Sequence, residues 1–233
     1  MEEESKAVQE VAKTTGKAID AAREAGGFIA RFISGPLEQG IGIFEDRLKY
    51  TRWERQIRLW KRADAFLKQE GLSAPTKAVP LKLAVPLLQA ATLEDNDELQ
   101  DKWAALLVNA ANADCSFEIQ RSFIDILEQL TPLEAKILDV LYSLPFEKSQ
   151  HDGILTADLP HSASIKGEKQ DNFPAPNEEI VLALSNLARL GCLRPSMTWG
   201  GGESFGKINP TILGRSFVRA CQLSNYPPQK SKR

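Results

Sequence analysis

Histidine is scarce in this chain, occurring only as His151 and His161. Cysteine is scarce too and odd in number. Cys115, Cys192 and Cys221 are far apart, which excludes a disulfide framework, and no Cys-x-x-Cys pair suggests zinc. Neither sign of charge dominates: 29 Lys+Arg against 31 Asp+Glu leave a net −2, which excludes a generally basic nucleic-acid coat protein. No run reaches the roughly 18 apolar residues that a bilayer span requires. The nearest stretch, Gly26 to Phe44, is broken by Arg31, Pro36 and Glu38. The start, Met1-Glu2-Glu3-Glu4, is acidic and has no basic-then-apolar secretory pattern. These absences read as a cytoplasmic protein with reduced thiols.

Catalytic and metal patterns are also missing. There is no Gly-x-Ser-x-Gly, no His-Glu-x-x-His and no dinucleotide Gly-x-Gly-x-x-Gly after a strand. The acidic run Glu94 to Asp101 lacks the glycine of a calcium loop and reads instead as a capping box, Asp95 with Glu98. Gly201-x-x-x-x-Gly206-Lys207 opens like a phosphate-binding loop. Ile208 stands where a hydroxyl is needed, and Pro210 prevents a helix from following directly. The expectation is a non-enzymatic protein with no catalytic residue, metal, cofactor or small-molecule substrate.

What is present is helical. The 233 residues are 42% hydrophobic, enough for a packed core. Residues 1–42 read as an Ala-rich amphipathic arm, with Val8, Val11, Thr15, Ala18, Ala22, Ala25, Ile29 and Phe32 on a heptad-like seam. Residues 43–115 read as a helical region that opens with a long basic helix, Ile43 to Glu70. At 100° per residue Tyr50, Trp53, Ile57, Trp60 and Leu67 share one side, with Arg47, Arg55, Arg58 and Arg62 nearly opposite. Arg47 to Arg62 holds seven basic residues and one acid, a local +6 suited to an anionic partner, lipid or nucleic acid. Leu81 to Ala91 and a helix ending at Ala113 follow. The latter carries Leu99, Trp103, Leu106, Leu107 and Ala110 on its buried side.

Residues 116–226 read as one module, followed by a polar tail, 227–233. Ser116 caps a helix from Phe117 to Leu130, and Thr131-Pro132-Leu133-Glu134 is a strong helix start. Residues 145–177 hold four prolines among polar residues and read largely as loop, with a short element at Ile154 to Leu159. Asn177 caps a helix that stops at Gly191. A hairpin spans Cys192 to Asn209, and a last helix runs from Thr211 to Gln222. Capped helix, short element, Leu-rich helix, hairpin and closing helix are the order of a winged-helix-like module. Val181 to Arg233 holds eight basic residues and one acid, a local +7. Arg189, Arg194, Lys207, Arg215 and Arg219 are its candidates for a nucleic-acid or other anionic contact.

Several segments resemble the bacterial abortive-infection alpha family. They are Gly35-Pro36-Leu37 through Asp46-Arg47-Leu48-Lys49-Tyr50, Pro80-Leu81-Lys82-Leu83 with Leu87-Leu88, and Leu93-Glu94 through Trp103-Ala104 to Asn109-Ala110. Phe123-Ile124 through Thr131-Pro132-Leu133-Glu134-Ala135, Leu187 to Cys192, and Thr211-x-Leu213-Gly214-Arg215-x-Phe217 continue it. The resemblance covers roughly residues 35–222. It implies a prokaryotic antiphage protein whose action stops infected cells growing or kills them, and it carries over no catalytic residue. Three readings follow: a sensor or effector that binds a protein or itself, a DNA-binding regulator, and a peripheral membrane effector using the Phe28 to Phe44 stretch.

Overall fold

The structure is a computed structural model that describes residues 27, 31–32, 53–167, 173–198 and 200–223. Most of the expected arm, the start of the long helix with Arg47, part of the 162–173 loop and the tail lie outside the described residues. Contacts divide the chain into two units. One comprises residues 1–95 and 103–118, the other 96–102 and 119–233. The described residues form eight helices and four strands. No helix among them is long and apolar enough to cross a membrane.

In the first unit, helix α1 (Trp53–Gln69) buries Leu59, Ala63 and Leu67 in steps of four. Of the expected apolar side Leu67 is buried, but Ile57 and Trp60 are only half-buried. Arg55, one of the arginines expected to meet an anionic partner, is already engaged within the chain. Its guanidinium donates to the Leu93 carbonyl and pairs with Asp95 at 3.2 Å. Asp64 pairs with Arg31 and Lys68, and the Val79 N–H donates to the Phe32 carbonyl. Helix α2 (Leu81–Ala91) retains Pro86 in its interior.

Helix α3 (Asp97–Ala110) starts in one unit and ends in the other. Its cap is Asn96, not Asp95: Asn96 Oδ1 accepts from the N–H groups of Glu98 and Leu99 at 3.0 and 3.1 Å. Asp95 is committed to Arg55 instead. Every residue from Trp103 to Ala110 is buried, so this half of the helix has no solvent face. Its helical bounds end at Ala110, three residues before the expected stop.

The second unit contains the rest. Helix α4 (Arg121–Leu127) is shorter than expected and does not start at Ser116. Gln120 is extended and offers no side-chain cap, and buried Ile119 sits in this extended lead-in. Helix α5 (Pro132–Tyr142) starts as the sequence predicts, with Thr131 and Glu134 forming a complete capping box. Helix α6 (Phe146–Asp152) lies where loop was expected. Pro145 at its N-cap fixes a backbone angle compatible with starting a helix. Strands β1 (Ile154–Leu155) and β2 (Ser164–Ile165) follow, then helix α7 (Glu178–Arg189), capped by Asn177 through the Ile180 N–H at 2.9 Å. Strands β3 (Leu193–Met197) and β4 (Glu203–Pro210) make the hairpin, and α8 (Ile212–Ala220) closes the unit, capped by Thr211.

The sheet is antiparallel, with order β2–β1–β4–β3. Ile154 is opposite both Ile165 and Ile208, and Ile154 and Ile208 are fully buried, which defines the inner side. Phe123 and Phe217 meet in the core with ring centroids 6.3 Å apart. At the far end of α5, the Tyr142 hydroxyl donates to the Cys192 carbonyl and accepts the Thr211 N–H at 3.1 Å. Gly214 leaves room for that hydroxyl.

Candidate interaction surface

The five C-terminal cations lie on four elements, α7, β3, β4 and α8. Arg194 is exposed on β3, opposite Asn209 of β4. Lys207 lies two residues before Asn209, so alternation puts Arg194 and Lys207 on the same, outer side of the sheet. Arg215 and Arg219 are one turn apart on α8. Arg215 is engaged with α6: it pairs with Glu147 at 3.0 Å and lies 4.4 Å from the centroid of the Phe146 ring. Arg189 ends α7 and donates to Gln129 and to Asn186. In the first unit Arg58 is exposed and Arg62 half-exposed, while Arg55 is committed as described.

Sequence reasoning missed two residues here, Lys166 and Phe173. Lys166 continues β2 beyond Ile165, and its N–H donates to the Gly153 carbonyl at 3.0 Å. Its ammonium lies 5.2 Å from the centroid of the Phe173 ring, and the Lys207 ammonium lies 5.4 Å from the same centroid. The chain reaches this position because a strap at Phe173–Pro174 crosses β4 at Gly206. A Cβ there would stand 2.7 Å from the Phe173 carbonyl carbon and closer still to its oxygen. Gly206 and Lys207, read as a failed phosphate loop, are thus a strap seat and one flank of a ring. A two-residue strand carries no periodicity, so no sequence signal marked Lys166.

The outer face of α7 has a different character. Glu178 and Glu179 are exposed at its start, and Leu182 is 72% exposed. Ile180, Ala183, Leu184 and Leu187 are buried on the opposite side.

The buried polar groups of this unit serve the fold. Glu134 is almost completely buried. Its carboxylate accepts the Thr131 N–H and the Asn186 amide, both at 2.7 Å, so one side chain starts α5 and anchors α7. Lys102 donates to both oxygens of Asp139, at 2.7 and 2.8 Å. Burial pushes the Cys192 and Cys221 thiols up to about 12, with Glu134 adding to the rise at Cys192. At Cys221 Lys102 pulls the other way and Asp139 adds to the rise. Such thiols are not nucleophiles at neutral pH. His151 and His161 are exposed, and among the described residues no group of three His, Cys, Asp or Glu is placed to hold a metal.

The family model described as abortive infection alpha matches residues 54–221. No curated protein and no solved structure matches the chain.

Proposed function

Because the chain belongs to the abortive infection alpha family, we propose that it serves antiphage defence as a sensor or effector that works through its surfaces without turning over a substrate. The second unit is read as a winged-helix-like module. The strand order supports this: β1 pairs with β4, the return arm of the hairpin that follows α7, so a short strand, a helix and a wing stand in sequence.

The observation that carries the reading is the outer face of α7. In a duplex-reading module this helix would meet phosphates, yet Glu178 and Glu179 begin it and would repel them. Arg189, its one cation, is bonded to Gln129 and Asn186. Leu182 offers an apolar contact of the kind found at protein interfaces. The face therefore suits a protein whose apolar contact is flanked by basic groups. The engaged Glu134, the Lys102–Asp139 pair and the proton-retaining thiols support action without catalysis.

Leu182→Asp tests the reading in phage-infected cells expressing the protein. Plaque counts should rise to those of cells without it, with the melting temperature unchanged. Full protection by the variant overturns the α7 surface. A purified protein that hydrolyses nucleotides or cuts nucleic acid, and loses that activity through a point mutation, overturns the non-enzymatic part.

A further inference from the structure

Building on the reading that this unit works through its surfaces, we propose that Lys166, Phe173 and Lys207, with Arg194 on the same side of the sheet, form a binding site for single-stranded nucleic acid. Three observations converge on it. The first is placement. β2 and β4 flank β1, with Ser164 and Lys207 both opposite Leu155, and this register brings the two lysines to one ring, 5.2 and 5.4 Å from its centroid. The second is charge. Among the described residues no carboxylate pairs with either ammonium, both lysines are half-buried, and Arg194 adds an exposed cation. Like charges gathered without a counter-ion are relieved by a bound anion. The third is rigidity. The Phe173 backbone is seated on β4 at Gly206, where no side chain would fit. A partly exposed ring held in advance loses little freedom on binding.

Cations beside an aromatic ring are the two elements of single-strand recognition. The two ammonium groups, which lie over the ring in the free protein, leave it to follow the phosphates, and the ring they uncover stacks on a base. A duplex hides those faces inside its stack, and an acidic peptide has no planar base for the ring to meet. This site is separate from the α7 face, so each can fail independently of the other.

The experiment is fluorescence anisotropy of the full chain with labelled oligo-deoxythymidine, oligo-uridine, a duplex of equal length and polyglutamate, across a salt series. Single strands should bind more tightly than the duplex or polyglutamate. Lys166→Gln with Lys207→Gln should weaken binding and lower the slope of log K against log salt by about 1.4, at roughly 0.7 per phosphate contact. Phe173→Ala should weaken binding by about 5- to 150-fold with the slope unchanged, and Phe173→Trp should restore it. Absence of binding at low salt overturns the proposal. So does equal binding of polyglutamate, or a lysine double variant that binds as the parent does. The lysine variants keep the test valid if Phe173→Ala loosens the strap. Plaque counts on Leu182→Asp assess the defence reading separately.

Discussion

Replacing Gly214 with alanine should destabilise the protein, although alanine is the better helix former by about 1 kcal/mol. Gly214 is buried in α8, and a Cβ there would lie 2.7 Å from Tyr142 Cζ. It would lie closer still to the Tyr142 hydroxyl and the Cys192 carbonyl, well inside the 3.0 Å that real Cβ atoms essentially never breach. The ring has to move, and its hydroxyl then loses the Cys192 carbonyl and the Thr211 N–H. Two such bonds contribute about 1 kcal/mol each, and crowding a packed site costs about 1–3 kcal/mol more. Set against the helix gain, the net loss is about 2–4 kcal/mol. Urea unfolding followed by circular dichroism should show a lower midpoint with an unchanged slope. Tyr142→Phe removes the nearest atom, so the alanine should cost less in that background, with the ring carbon and the Cys192 carbonyl accounting for the remainder. A neutral or stabilising Gly214→Ala, or strict additivity of the two substitutions, would refute the steric argument.

Other outcomes follow from the same unit. Burial raises the Cys221 thiol from 9.0 to about 12, so the folded state keeps a proton that the unfolded chain sheds above pH 9. Its contribution is whole below pH 9 and declines between pH 9 and 12, by about 1.4 kcal/mol per pH unit for one such thiol. Cys221→Ala should flatten the alkaline limb of a stability–pH profile, and an unaltered limb counts against the assignment. Thr131→Ala removes half of the capping box and should cost about 1 kcal/mol in the same urea assay. Gly206→Ala should displace the strap and lower the urea midpoint, and parent-like stability would contradict the close approach.

The C-terminal helices were legible because their ends are written locally. Thr131 with Glu134, Asn177 and Thr211 each make the cap that their residue types predict. The Asp95 cap misled because a distant arginine claimed the carboxylate, and i to i+3 spacing cannot report a partner forty residues away. Helix α6 was hidden by its composition, Phe-Glu-Lys-Ser-Gln-His-Asp, which shows little apolar periodicity. Trp60 fell on the apolar side because periodicity registers size and polarity, yet it is half-buried while the small Ala63 is fully buried. Of the outer sheet side, Arg194 and Lys207 were visible as charges. Their company with Lys166 and Phe173 depends on strand pairing and on a strap, neither of which leaves a local pattern.

The position of Glu134 has a consequence for how related sequences can diverge. A single carboxylate answers to Thr131 on its own helix and to Asn186 on another. A lineage that replaces it must change residue 186 in step or leave a stranded amide, so these two columns should covary in an alignment even though fifty-two positions separate them.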